Sequence, residues 1–92
     1  MMGLLALQRG DAAGAAGLLA QSLEIRPEAA CAIHLGMAYR QLGELEQAVA
    51  ANERALALAP NHPAAWMNLG ISLAEAGRLG EARVYLEKTA AA

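Results

Sequence analysis

The stretch Leu35-Gly36-Met37-Ala38-Tyr39-Arg40-Gln41-Leu42-Gly43-Glu44 is answered further along the chain by Leu69-Gly70-Ile71-Ser72-Leu73-Ala74-Glu75-Ala76-Gly77-Arg78. A fainter copy precedes both. Gly3, Gly36 and Gly70 stand 33 and 34 residues apart (36−3 and 70−36), and Gly10, Gly43 and Gly77 keep these intervals, as do Ala15, Ala48 and Ala82. A short unit used repeatedly cannot bury its own apolar face, so the copies must stack and share a core.

Between the glycines the pattern is helical. Leu45, Ala48, Val49, Asn52, Ala55 and Leu56 follow i, i+3, i+4 steps, while Glu44, Glu46, Gln47, Glu53 and Arg54 lie mostly on the other side. Gly10-Asp11, Gly43-Glu44 and Gly77-Arg78 each read as a left-handed glycine closing one helix just before the next begins. Pro27 and Pro60 end the second helix of a unit, because the residue before proline is driven out of the α region. Pro63 suits a first helical turn, which needs no N–H donor. These signals predict six helices, over roughly 1–9, 11–25, 28–42, 44–58, 63–76 and 78–91. They divide one domain, residues 1–92, into a unit truncated at its start (1–27) and two complete ones (28–61 and 62–92). The short turns make neighbouring helices antiparallel.

Composition agrees with stacked helices. Of the 92 residues 57% are apolar, above the usual ~45–50%, yet the aromatic residues are only Tyr39, Trp66 and Tyr85. Alanine dominates, so the core is expected to form by close approach of helices carrying small side chains. A net charge of −2, from seven basic and nine acidic residues, gives no electrostatic reason to expect a nucleic-acid partner. The single Cys31 excludes an internal disulfide. The apolar start, Met1 to Leu7, lacks a basic flank and breaks off at Gln8-Arg9-Gly10, and no run approaches the ~18 apolar residues of a membrane span. The expectation is a soluble, cytoplasmic chain; its alanine- and arginine-rich, lysine-poor composition suggests a bacterial source.

The residues also carry a family resemblance. Ala65-Trp66-Met67-Asn68-Leu69-Gly70, then Gly77 and Ala82, together with Leu35-Gly36, Tyr39, Gly43, Ala48, Ala55-Leu56 and Pro60, resemble the tetratricopeptide repeat. Ala32 stands where Trp66 stands in the next unit, Ala6 and Leu73 replace the Tyr seen at Tyr39, and Ser22 and Thr89 replace Ala55. The resemblance implies an all-α, right-handed superhelical solenoid of antiparallel hairpins, in which the first helix of each hairpin lines a concave groove that holds a peptide. The groove positions it implies are Leu4, Leu7 and Gln8 in the first unit. In the second they are Ile33, His34, Met37, Arg40 and Gln41, and in the third Met67, Asn68, Ile71, Ala74 and Glu75. An apolar anchor of the ligand is expected against Ile33, Met37, Met67 and Ile71, with Arg40, Gln41 and Glu75 as a polar edge.

The carboxylate clamp of family members that bind chaperone C termini requires Lys or Asn where Leu4, His34 and Ala64 stand, and Arg where Asn68 stands. It is missing here, so a peptide ending in acidic residues is expected to bind poorly. The tract from Pro60 to Ala82 also resembles the repeat arms of protein O-glycosyltransferases, whose asparagine ladder is matched by Asn68 and broken by His34.

No catalytic pattern is visible. Cys31 and His34 lie three apart on one helix, but a metal site needs three or four ligands and His62 sits in a different turn. Ser22, Ser72, Thr89 and Cys31 lack a nucleophile motif, and the glycines do not form a phosphate loop. The expected protein is a non-enzymatic interaction scaffold without metal or cofactor. Alternatives are the repeat arm of a larger protein, such as a glycosyltransferase or secretion component, and a self-assembling scaffold. Leu4, Leu5 and Leu7 at one end and Ala90 to Ala92 at the other leave both ends of the stack without polar caps, which predicts a homo-oligomer.

Overall fold

A computed structural model describes residues 4–91, with side chains from residue 11 onward. It contains five helices: α1 (Leu4–Ile25), α2 (Ala29–Gln41), α3 (Leu45–Leu58), α4 (Pro63–Glu75) and α5 (Leu79–Ala91). Helices α2 and α3 form one hairpin and α4 and α5 the next. Helix α1 packs on α2, α3 packs on α4, and α2 also touches α4, so the hairpins stack side by side as a helical solenoid.

The two hairpin turns are built by the backbone alone. Gly43 and Gly77 adopt φ of 79° and 84°, the left-handed conformation that costs glycine nothing. The Glu44 N–H then donates to the Tyr39 carbonyl at 2.9 Å and the Gly43 N–H to the Arg40 carbonyl at 3.0 Å; Arg78 and Gly77 repeat both bonds to Leu73 and Ala74 at 2.8 and 3.1 Å. This pair of bonds satisfies carbonyls that the end of a helix otherwise leaves free. Pro63 occupies the first turn of α4 and Pro27 and Pro60 follow the ends of α1 and α3, as the sequence predicts.

The first unit departs from the expectation of six helices. No turn forms at Gly10-Asp11, and residues 4–25 make one helix about 33 Å long at 1.5 Å per residue. Continuing a helix adds a hydrogen bond per residue, whereas a turn requires a second nucleus, and the alanines at positions 12, 13, 15 and 16 favour continuation. Glycine within the helix costs about 1 kcal/mol against alanine, too little to force a break.

Gly14 and Gly17 sit in the same helix, and a Cβ added to either would meet nothing within 4 Å. Gly14→Ala and Gly17→Ala are therefore each expected to stabilise the protein by roughly 0.5–1 kcal/mol. Together they should raise the melting temperature by several degrees in a thermal denaturation followed by circular dichroism. No rise would mean that α1 is not helical at these positions.

The core is made largely of alanine. Ala32, Ala48, Ala55 and Ala65 are fully buried, and with Ala16, Ala38 and Ala51 they let neighbouring helices approach closely around Leu23, Ile33 and Leu35. A second cluster of Val49, Leu69, Leu73 and Ala82 joins the two hairpins. Closest approach occurs where a glycine of the first helix meets the second. A Cβ on Gly36 would stand 2.5 Å from Asn52 Nδ2, and one on Gly70 would stand 2.7 Å from Leu86 Cδ2.

Candidate functional site

The first helices of the two complete hairpins, α2 and α4, lie side by side, which aligns the side chains that share one face of each. Arg40 of α2 and Glu75 of α4 meet across this boundary, with Nε 3.7 Å from Oε1. Both are partly exposed, so the pair marks the register of the face more than it contributes to stability. One turn back from Arg40 is Met37, exposed at 40%; two turns back from Glu75 is Met67, exposed at 45%. Two large apolar side chains thus stand in solvent on adjacent helices of a molecule whose other methionines lie outside the described residues. Half-buried Ile71 and Ala74 continue the strip on α4, and exposed His34 and Gln41 flank Met37 on α2.

Other expected groove residues fall elsewhere. Ile33 is a correction: it is 6% exposed and packed in the core cluster with Ala16 and Leu23 of α1, and is not available to a ligand. Asn68 donates one N–H of its Nδ2 to the carbonyl of Ala64, 2.9 Å away in its own helix, leaving Oδ1 and its second N–H to offer. Leu4, Leu7 and Gln8 belong to α1, but their side chains lie outside the described residues.

A cavity of about 390 Å³ opens beside this strip, between α1 and α2. His34, Met37 and Gln41 form one wall and Ala15 and Leu19 of α1 the other, with Asp11 at its edge. The sequence reading missed the α1 wall. Its signal was nevertheless present in the register of Ala15 with Ala48 and Ala82, two alanines that the structure buries completely or nearly so.

Electrostatically the face is mild. The strongest ionic cluster lies away from it, in the turn before α5, where Arg78 pairs with Glu81 at 2.6 Å and with Glu46 of α3 at 2.9 Å. The hydrogen bond that Arg78 donates to the Glu81 carboxylate, reinforced by the charges of Glu81 and Glu46, holds the guanidinium above its ordinary pKa, so it stays charged at every accessible pH. Among the described residues no three His, Cys, Asp or Glu side chains converge as metal ligands, and Cys31 Sγ instead points to the Leu19 carbonyl at 3.4 Å. No described helix is long and apolar enough to cross a membrane.

A family model described as "Tetratricopeptide repeat" matches the chain twice, over residues 1–63 and over residues 33–92. The comparison with curated proteins gives no match.

Proposed function

This chain belongs to the tetratricopeptide repeat family, whose repeats generally mediate protein–protein interaction, and from that premise we propose that it is a non-enzymatic scaffold holding a peptide segment along the α2–α4 face. The observation that carries this reading is the exposure of Met37 and Met67 on adjacent first helices, on either side of the Arg40–Glu75 contact. Exposed apolar side chains at consecutive repeats favour a ligand with apolar anchors at matching intervals. Methionine's flexible, polarizable side chain adapts to varied shapes, which suits recognition of a segment by its apolar character. Ile71 completes the apolar floor, and Arg40, Gln41 and Glu75 give the ligand's backbone and polar groups partners at the rim.

In this reading residues 28–61 and 62–92 are complete units and residues 1–27 a partial one, within one domain that acts in the cytoplasm. A second reading, association between copies, draws support from α5, where Leu79, Val84 and Leu86 are 67%, 59% and 38% exposed. Apolar residues at that density on the last helix of a stack suit end-to-end packing on another repeat, in a homo-oligomer or in a longer array such as the arm of a larger protein.

Selection from a random peptide library displayed on phage tests the groove directly. Recovered peptides are expected to share large apolar residues, and Met67→Glu should weaken their binding at least tenfold, the loss of a modest hot spot of about 1.4 kcal/mol, with helix content unchanged. Equal binding by wild type and Met67→Glu would move the binding site to another face.

A further inference from the structure

Helices α1 and α3 both pack on α2, and a second cavity, of about 230 Å³, opens between them. We propose that this cavity binds a small aryl carboxylate, with its ring against Leu23, Leu35 and Ala51 and its carboxylate on Arg54. Leu35 and Tyr39 line it from the side of α2 opposite Met37, because residues two apart on a helix point in nearly opposite directions. A ligand there leaves Met37 and the α2–α4 face uncovered.

The shape of the ligand follows from the next unit. The cavity residues Leu23, Leu35 and Tyr39 correspond to Leu56, Leu69 and Leu73 (56−23, 69−35 and 73−39). In that unit a half-buried Tyr85 packs on the cluster containing Leu69 and Leu73, as does Leu56. The counterpart of Tyr85 is Ala51 (85−51), which lines the cavity. One unit therefore fills with its own phenol ring a place that the other leaves open. Tyr39 is larger than Leu73 and takes part of the space, but about 230 Å³ remains. Roughly 150 Å³ of apolar cavity suffices to hold benzene, so there is room for one ring and a short acid chain.

The charge of the ligand follows from the rim. Lys88, the counterpart of Arg54 (88−54), places Nζ 4.9 Å from the Trp66 ring centroid. Ala32 stands where Trp66 stands, so Arg54 has no such ring to lie on. Among the described residues Arg54 also pairs with no carboxylate, whereas Arg40, Arg78 and Arg83 each do. Gln47 holds the place of Glu81 (81−47), and no acidic side chain lines the cavity. The rim thus offers a free guanidinium, whose planar fork matches a carboxylate, and a neutral amide that donates to the same group. An apolar recess of ring size with one unpaired cation at its mouth selects an aromatic acid over a neutral or cationic ring.

The test titrates the isotope-labelled full chain with para-hydroxyphenylpropanoate, which reproduces the tyrosine side chain with a carboxylate attached, and follows the backbone amide resonances. Saturable shifts are expected at Leu35, Ala50, Ala51 and Arg54, and none at Met67 or Ile71. Ala51→Tyr, which supplies the ring found in the next unit, is expected to abolish them. Arg54→Gln, at an exposed position, should weaken binding about fivefold, the scale of a partly exposed charge pair, and the neutral primary amide of the ligand should lose as much against wild type. No saturable shift, shifts centred elsewhere, or equal binding by wild type and Arg54→Gln overturns the proposal. Should Ala51→Tyr lose its helix content, Arg54→Gln and the amide decide the matter. The site is independent of the groove: Met67→Glu should bind the acid as wild type does, and Arg54→Gln should hold phage-selected peptides as wild type does, so failure of one reading is distinguishable from failure of the other.

Discussion

Trp66→Ala is expected to remove about 3–5 kcal/mol of stability, the usual loss for deleting a buried tryptophan. For 92 residues the whole stability is on the order of 5–14 kcal/mol, so this single truncation takes about a fifth of it or more. Trp66 is only 9% exposed and ties three parts of the molecule together. It lies in the first turns of α4, its Nε1–H donates to the Pro60 carbonyl in the linker from α3 at 3.1 Å, and Lys88 of α5 places Nζ 4.9 Å from the ring centroid. The bond to Pro60 satisfies the one polar atom of the side chain, which makes the burial of so large a ring favourable. Urea denaturation followed by circular dichroism measures the loss, since the variant has no tryptophan fluorescence. Stacked repeats interact only with neighbours, so α4 and α5 should melt first and the denaturant slope should fall. Trp66→Phe, which keeps an aromatic ring and gives up the hydrogen bond, should cost much less. A loss below about 1 kcal/mol for Trp66→Ala would mean that the ring is not packed between the linker and α5.

Gly36→Ala carries the next largest effect, about 2–3 kcal/mol, although it adds one methyl group and improves helix propensity. The new Cβ would lie 2.5 Å from Asn52 Nδ2 and 3.0 Å from its Cγ. Asn52 is fully buried and its Nδ2 donates to the Ala48 carbonyl at 2.9 Å, so it cannot swing into solvent; either that bond breaks or α2 and α3 separate. Among the described residues Asn52 Oδ1 has no hydrogen-bond partner, which leaves the amide little further stabilisation to lose. Asn52→Ala in the Gly36→Ala background should therefore restore most of the stability, and the coupling in the double-mutant cycle should exceed about 1 kcal/mol. Gly70→Ala provides the contrast. Its Cβ would approach Leu86 Cδ2 at 2.7 Å, but Leu86 is 38% exposed and can rotate away, so the cost should be about 1 kcal/mol or less. Equal losses at positions 36 and 70 would contradict the difference in confinement between Asn52 and Leu86.

The stacking of hairpins was legible because its signals act over a few residues. Gly43 and Gly77 close their helices through bonds to carbonyls three and five positions back, and Pro27, Pro60 and Pro63 act on the adjoining peptide units. Such interactions depend on local backbone geometry, so a repeated glycine in a repeated context gave the correct turn twice. The third glycine of the series, Gly10, shows where that reasoning ends. Glycine permits the left-handed turn without compelling it, and α1 continues through Gly10, each further residue adding a helical hydrogen bond where a turn would need a second nucleus.

The candidate groove was legible to the same extent. The resemblance implies Met37, Arg40, Met67, Ile71 and Glu75 as groove positions, and Arg40 of α2 meets Glu75 of α4 across the boundary between the two helices. Periodicity says nothing of how deeply each position is covered. Ile33 and Met67 hold equivalent places (67−33 is 34), yet Ile33 is 6% exposed in the core and Met67 is 45% exposed.

Alone, the order of amino acids determined that the chain forms helices, where two hairpins turn, and that their alanines let the helices nest closely, because these follow from backbone conformation and side-chain volume within a few residues. Only the tertiary structure decided which apolar side chains remain in solvent, that the first unit is a single helix, and that a cavity opens beside it. Burial and the choice between a turn and a continued helix are set by residues far apart in sequence, whose distances are fixed only when the helices pack.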